Sequence, residues 1–223
     1  MNKLSKSQKL VYDMEKYAGG SIAVICGSML IEGSRNQVEL VAAINELYRL
    51  NTALRTRITE TDDGAVQFAL EYTEQDIDVL HFDSKEELDR YAGEYAQQPF
   101  DFYGNLCELS AVLMPGHYGI LVKFHHIIGD AWTIALIGTQ YNTLLNGEVP
   151  TAYQYAEHLE SESEYLQSNR YAKSRTFFLE QFKKCDEVVY LSEKQISSFT
   201  SNRRTFVLKG EEAAQIYNYY YRG

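Results

Sequence analysis

The stretch "KFHHIIGDAWT", residues 123–133, places two neighbouring histidines, an aspartate and a tryptophan within eleven residues. It follows a segment in which apolar residues continue a strand-like run. After it, apolar side chains recur at helical spacing, at Ile134, Ile137, Tyr141 and Leu144. The stretch therefore predicts a strand that ends at the histidines and a helix that begins after Asp130 and ends at Asn146–Gly147.

The two histidines are predicted to point in opposite directions. Side chains alternate along a strand, so His126 shares a face with Phe124, and His125 shares the other face with Lys123. This disfavours a metal site, which needs both rings and Asp130 to converge on one ion. Two further interpretations remain open: a structural corner in which Asp130 caps the helix, and a catalytic base at the end of a strand.

The rest of the chain alternates between helical and strand patterns. Helices are predicted from a capping box at Ser5–Gln8, over 37–50, after Ser84 with Glu87, and through much of the chain up to about residue 184. Strands are predicted over 21–31, in a hairpin with Asp63–Gly64 at its turn, over 77–82, 107–114 and 118–126, and near 205–209 before a last helix. The pattern predicts an α/β lobe with a mixed, mostly antiparallel sheet, helices packed on one side of it, and His126 facing open space.

Composition narrows the function classes. The chain has 223 residues, of which 45% are apolar, enough for one core, and a net charge of −10. An acidic chain is a poor partner for nucleic acid or an anionic membrane, and no stretch approaches the length of a membrane span. Of three cysteines, Cys26 and Cys107 lie in apolar runs and are predicted to be buried and reduced, which favours the cytoplasm.

Four segments together resemble one protein family. "HHIIGDAW" resembles the HHxxxDG signature of nonribosomal-peptide condensation domains, which are chloramphenicol acetyltransferase-like acyltransferases. In the family's order, "SKSQKLVY" (5–12) resembles SxAQxRMW, "LNTALRTRI" (50–58) resembles RHExLRTxF, and "QYAEH" (154–158), with the helix after it, resembles DYAxW and its following motif. The resemblance covers nearly the whole chain.

The sequence also departs from the family's motifs. Ala131 stands for the signature's glycine, and the remaining replacements are Leu50 for arginine, Asn51 for histidine, Gln154 for aspartate, and His158 and Phe178 for tryptophans. The two histidines and Asp130 are kept.

The resemblance implies a domain of two similar lobes. Residues 1–223 would be the N-terminal lobe, with 210–223 starting the connection to a missing C-terminal lobe. The family joins a donor thioester to an acceptor amine, each delivered on the phosphopantetheine arm of a carrier protein. It implies no bound cofactor and no metal, and it implies that this chain alone is inactive.

The resemblance also assigns roles to residues. His126 would be the catalytic base, since a histidine can accept a proton near neutral pH. His125 would support the site, Asp130 would hold it through an ion pair with Arg55, and Ala131 and Trp132 would offer backbone or channel contacts. Two alternatives stay open: an inactive or carrier-binding module, and a coenzyme A-dependent acyltransferase of the same superfamily, although the simplest of these carry the signature near the C-terminus. Donor, acceptor and the choice between condensation and epimerisation also stay open.

Overall fold

A computed structural model of the protein describes residues 1–19, 22–185 and 206–221. The chain divides into two compact units, Met1–Val188 and Val189–Gly223. In the described part of the first unit the strands are β1 (Asn2–Lys3), β2 (Val24–Glu32), β3 (Thr56–Thr61), β4 (Gly64–Ala69), β5 (Val79–His81), β6 (Cys107–Met114) and β7 (His117–His125). Its helices are α1 (Lys6–Ala18), α2 (Gln37–Leu50), α3 (Lys85–Tyr95), α4 (Ala131–Leu145), α5 (Tyr155–Gln167) and α6 (Asn169–Phe182).

The larger sheet is mixed and mostly antiparallel, as the sequence predicts. Its strand order is β2-β7-β6-β5, with β2 and β6 antiparallel to β7, and β5 parallel to β6. Val24 pairs with His125 and Glu32 with His117, so β2 flanks β7 over its whole length. A smaller sheet has the order β1-β4-β3.

The hairpin between β3 and β4 turns one residue earlier than predicted. Thr61 pairs with Gly64, so the two loop residues are Asp62 and Asp63, and Gly64 is the first residue of β4. Gly64 has φ of 110°, a conformation that a residue with a side chain rarely adopts, and this explains the glycine at the edge of the turn.

Helices lie on both faces of the larger sheet, so the prediction of helices on one side is wrong. Ile120 and Val122 of β7 pack in a core that also contains α2 and α4. Leu121 lies between them and points to the other face, where it packs with Val112 and with Leu88 of α3. Because β6 and β7 are apolar on both faces, each face needs its own cover.

Local signals at helix starts are confirmed. The Ser5 side chain accepts a hydrogen bond from the Gln8 amide and forms the predicted capping box. Ser84 caps α3 by accepting from the Glu87 amide, and Asp130 caps α4. These caps depend only on residues three positions apart, and a sequence shows them directly.

The described part of the second unit contains one helix, α7 (Gly210–Tyr221). The strand predicted near 205–209 is wrong for Phe206–Lys209, which form no strand, and Thr205 lies outside the described residues. Within this unit a cavity of about 600 Å³ is lined by Leu208, Ala213, Ile216, Tyr217 and Tyr220. That 210–223 begins a connection to another lobe stays a prediction.

The three cysteines lie in different surroundings. Cys107 is buried, Cys26 is half-buried, and Cys185, just after α6, is exposed. Burial raises the pKa of the Cys107 thiol to about 12 and that of the Cys26 thiol to about 11. A thiol must lose its proton to react, so the Cys107 and Cys26 thiols should be inert near neutral pH.

We therefore expect one fast thiol in the folded chain. At pH 8 a thiol-reactive reagent should label Cys185 within minutes, whereas a pKa near 11 leaves roughly one part in a thousand of Cys26 as thiolate. Labelling is followed by mass spectrometry, with complete labelling of all three thiols in denaturant as the reference. Cys185→Ser should remove the fast phase, and a second fast thiol in the native chain would contradict the burial described above.

Candidate functional site

Residues 125–130, here called the histidine corner, join the end of β7 to the start of α4. The Ile128 amide donates to the His125 carbonyl and turns the chain away from the sheet. The Asp130 carboxylate then accepts hydrogen bonds from the Thr133 amide at 3.1 Å and the Thr133 hydroxyl at 3.3 Å, and the Asp130 amide donates to that hydroxyl at 3.0 Å. The aspartate is therefore a helix cap.

His125 is completely buried and has a defined hydrogen-bond arrangement. Its Nδ1 accepts from the Ile127 amide at 3.1 Å, so in the neutral ring Nε2 carries the proton and donates to Glu15 Oε1, 3.1 Å away. Burial is the main cause that lowers the pKa of His125, while Glu15 opposes that shift. The structure thus holds His125 as a neutral ring.

His126 faces the other way and is exposed, as predicted for the strand end. Its Nδ1 lies 2.8 Å from the Gly129 carbonyl oxygen. A carbonyl can only accept, so Nδ1 carries the proton, and Nε2 of the neutral ring keeps a lone pair. Among the described residues, Nε2 has no hydrogen-bond partner.

The His126 side chain lines a cleft of about 610 Å³ in the first unit. The other walls come from the start of α1, the segment around Asn51, α4 and the start of α5: Ser7, Gln8, Val11, Asn51, Ala53, Leu54, Ile127, Ile128, Gly129, Asp130, Thr133, Leu136, Ile137, Tyr153, Gln154, Tyr155, Glu157 and His158. Among these described lining residues there is no lysine or arginine, and Asp130 and Glu157 are acidic. The cleft therefore suits a neutral or cationic group better than a free anion.

The structure does not place Ala131 and Trp132 on the walls of this cleft. Both lie in the first turn of α4, and the Trp132 side chain is 82% exposed. Their contact with a substrate channel stays a prediction.

Two departures from the family motifs have visible structural consequences. Asn51 is buried and donates to the Gln140 side chain at 2.8 Å and to the Leu47 carbonyl at 3.0 Å, which ties α2 to α4. Gln154 stands at the start of α5 but makes no side-chain cap. A helix start with a capping aspartate would be held more firmly.

The predicted ion pair between Arg55 and Asp130 is wrong. The Arg55 guanidinium donates instead to three backbone carbonyls: Tyr48 at 2.8 Å, Arg49 at 3.4 Å, and Leu70. Arg55 makes no ion pair with a described residue, and Asp130 is held by Thr133. Arg55 therefore supports the junction of α2 with β3 and β4, where orphan carbonyls at the end of a helix need donors.

Sequence reasoning missed Glu15 as part of this site. Glu15 follows Gln8 and Tyr12 at the spacing of one helical face, and all three side chains are buried. That face looks like an ordinary mixed surface in the sequence, because two of its three members are polar. The burial of Glu15 could be recognised only in the folded structure, where His125 lies beside it.

Two further structural observations concern other classes of function. The described residues contain no group of three or more histidine, cysteine or acidic side chains that could hold a metal ion. None of the helices in residues 1–19, 22–185 and 206–221 is long and apolar enough to cross a membrane.

Comparison with known proteins defines the class. The family model described as "Condensation domain" matches residues 1–219, and the chain belongs to this family. Its relatives include surfactin synthase subunit 1 of Bacillus subtilis (strain 168), 26% identical over 209 residues, which cover 84% of this chain and 6% of the synthase. Gramicidin S synthase 2 of Aneurinibacillus migulanus is 26% identical over 217 residues, 91% of this chain and 5% of that protein.

Solved structures share the fold at low sequence identity. A mutant of the starter condensation domain of rhizomide synthetase, solved in complex with C8-CoA, has a TM-score of 0.74 and 20% identity, over 87% of this chain and 48% of that chain. The first condensation domain of the calcium-dependent antibiotic synthetase, in complex with a substrate analogue, has a TM-score of 0.72 and 18% identity, over 83% and 48%. The chain thus spans about half the length of these structures and a small part of the synthases.

Because Arg55 and Asp130 do not touch, their substitutions should act independently. Asp130→Ala should lower the free energy of unfolding by about 0.5–2 kcal/mol through the lost cap, and Arg55→Ala by about 1.5–3 kcal/mol through lost charged hydrogen bonds. In a double-mutant cycle measured by urea unfolding, the two losses should add to within about 0.5 kcal/mol.

Lys123 and Glu108 offer a matched positive control for that cycle. They form an ion pair at 3.2 Å within the same sheet, and Lys123 is buried. Their cycle should give a coupling energy clearly different from zero. A coupling energy of several kcal/mol between Arg55 and Asp130 would contradict this arrangement, because it would mean that the two side chains form an ion pair.

The neutral His125 ring should make folding depend on pH. A histidine whose pKa is lowered by folding binds protons more readily when unfolded, so stability is fully present above the unfolded pKa and falls as pH drops below about 6.5. The slope can reach about 1.4 kcal/mol per pH unit for one proton. Urea unfolding between pH 8 and 5.5 measures it.

The control for this slope is a second histidine. His125→Asn should remove the histidine part of the slope, whereas His117→Asn, at an exposed residue, should leave it in place. Equal slopes in the wild type and His125→Asn would show that His125 is not held neutral.

Proposed function

We propose that this chain supplies the N-terminal lobe of a condensation domain that joins a donor thioester to an acceptor amine, both carried on carrier proteins. The observation that carries the proposal is the state of His126. The ring is exposed at a cleft, and the hydrogen bond from Nδ1 to Gly129 leaves Nε2 with a free lone pair. A proton acceptor in an open cleft is what amide formation from an amine requires.

The proposed step forms one bond and breaks another. The amine nitrogen attacks the thioester carbonyl carbon, the new C–N bond replaces the C–S bond, and the donor arm leaves as a thiolate. The proton lost by the amine passes to His126 Nε2 and from there to the departing sulfur. General base help of this kind contributes about 10²–10⁴-fold to a rate.

Other residues of the corner act on His126 rather than on the substrate. Asp130 caps α4, and His125 anchors the end of β7 in the core. The proposal includes no metal and no bound cofactor, since the phosphopantetheine arms arrive with the carrier proteins. Ala131 and Trp132 lie on the exposed first turn of α4, outside the cleft. They are proposed to contact the substrate channel that forms when the second lobe is present.

A second lobe is part of the proposal. The chain spans 48% of the solved condensation domains cited above. Helix α6 exposes Phe177, Phe178 and Phe182, an apolar face that a neighbouring lobe could cover. With one lobe, water screens the developing charge and the two substrates lose their shared positioning, which can amount to about 7–11 kcal/mol of barrier. The chain alone should therefore be inactive.

The test compares three proteins with the same loaded carriers. The full condensation domain that contains this chain should convert a donor thioester and an aminoacyl thioester into a peptidyl thioester, detected by mass spectrometry. His126→Ala in that domain should slow the reaction at least about 100-fold. The 223-residue chain alone should give less than about 1% of the domain's rate.

His117→Ala is a matched control. His117 is also exposed, and its Nδ1 also lies near a backbone carbonyl, that of Pro115 at 3.2 Å, but it sits at the far end of β7. Its loss should leave the rate unchanged. A full domain that binds loaded carriers without forming product would favour the inactive or carrier-binding alternative. Product formed from a coenzyme A thioester but not from a carrier thioester would favour a coenzyme A-dependent acyltransferase.

A further inference from the structure

Glu15 is an acidic residue in an unusual place. Its side chain is only 7% exposed, although a buried carboxylate is costly unless several donors surround it. Three donors meet one of its oxygens, Oε1: the Ile22 amide at 2.9 Å, the Ala23 amide at 2.9 Å and His125 Nε2 at 3.1 Å. Two of these partners, His125 and Ala23, connect Glu15 to the histidine corner.

One path from Glu15 runs through the His125 ring. The carboxylate can only accept, so it requires the proton on His125 Nε2 and leaves Nδ1 free to accept from the Ile127 amide at 3.1 Å. The rings of Phe100 and Phe102 pack edge-on against His125, at 6.5 and 5.1 Å between centroids, and exclude other hydrogen-bond partners. The peptide that follows His126 is thereby fixed.

The other path runs through the backbone of Ala23. Glu15 holds the Ala23 amide, and the Ala23 carbonyl accepts from the His126 amide at 2.7 Å. The peptides on both sides of His126 are therefore tied to the same carboxylate oxygen. Gln8, on the same face of α1, adds a third contact with this segment, because its side-chain amide donates to the Ile127 carbonyl at 3.1 Å.

We infer that Glu15 is a positioning residue for His126: by accepting from His125 and Ala23, it fixes the backbone that aims the exposed ring at Gly129. This inference rests on the proposed function where it concerns activity. Its structural part concerns only the ring state of His126, which can be observed without any reaction. The His126 ring keeps its Nδ1 proton on the Gly129 carbonyl only while residues 125–127 hold their present path.

Substitutions of Glu15 can separate the effect of its side-chain length from the effect of its charge. Glu15→Gln keeps an acceptor oxygen of the same reach, and because all three donors meet one oxygen, the amide can replace the carboxylate. Glu15→Asp keeps the charge but is one methylene shorter, and Glu15→Leu removes the acceptor. Asp13→Leu is the matched control, since Asp13 is an exposed carboxylate on the same helix and, within the described part of the chain, forms an ion pair with Lys9 alone.

The first readout uses the 223-residue chain. Long-range ¹H–¹⁵N spectra of its histidine rings, assigned with His125→Asn and His126→Ala, should show His125 protonated on Nε2 and His126 on Nδ1. In Glu15→Leu and Glu15→Asp the His126 signals should move to the averaged positions of a tautomer mixture, while Glu15→Gln and Asp13→Leu keep the wild-type pattern. If Glu15→Leu does not fold, Glu15→Asp decides.

The second readout is the rate in the full condensation domain. Glu15→Leu and Glu15→Asp should lower kcat by about 10–100-fold with KM nearly unchanged, since displacement of a reacting group by about 1 Å has effects of this size. Glu15→Gln should restore at least half of the wild-type kcat. A wild-type domain that forms no amide would refute the proposed function and leave the ring spectra to decide on Glu15.

Two outcomes would overturn the inference. One is a folded Glu15→Leu or Glu15→Asp variant in which His126 still shows a single tautomer protonated on Nδ1. Even if such a variant melted at a lower temperature, Glu15 would then contribute to stability and not to the position of the ring. The other is a loss in Glu15→Gln as large as that in Glu15→Leu, because the acceptor oxygen would then not be the acting feature.

Discussion

Neighbouring residues of a β-strand point to opposite faces, and at the end of β7 this alternation sends His125 into the core and His126 into the cleft. The two rings therefore have different chemistry despite being adjacent. The buried ring must satisfy both nitrogens inside the protein, and it does so with Glu15 and the Ile127 amide. The exposed ring satisfies one nitrogen with Gly129 and keeps the other for a reactant.

The cost of burying polar groups explains why the first helix matters to a corner more than a hundred residues later. His125 can stay in the core only if an acceptor reaches its Nε2, and α1 brings Glu15 to that point. The same helix brings Gln8 to the Ile127 carbonyl. The start of α1 is in turn held from α5, because the Glu162 carboxylate accepts the Lys6 amide at 3.1 Å. The walls of the cleft are thus connected through polar contacts as well as through the apolar core.

Much of this architecture can be predicted from local patterns. Two local predictions are nevertheless wrong, the exact turn of the β3–β4 hairpin and the strand at Phe206–Lys209, and the other errors concern contacts between distant parts of the chain. The caps at Ser5, Ser84 and Asp130 need only neighbours along the chain, and alternation alone separated His125 from His126. The position of α3 on the second face depends on which apolar side chains of β6 and β7 remain uncovered, which no single segment reveals. The ion pair of Arg55 was implied by the resemblance, but here the arginine binds backbone carbonyls instead.

The signature's glycine is replaced by Ala131, yet the corner still requires a glycine, two positions earlier. Ala131 lies in the first turn of α4 and is exposed, so a methyl group fits there. At Gly129 a Cβ atom would stand 2.7 Å from the Thr133 hydroxyl oxygen and 2.9 Å from its methyl carbon, closer than Cβ atoms approach in proteins, and a tight 3.0 Å from the Phe124 ring. Thr133 cannot retreat without leaving the Asp130 cap, and Phe124 is fixed in the core. Close packing at Gly129 therefore places the carbonyl that receives His126 Nδ1, and the same contact links the helix cap to the orientation of the exposed ring.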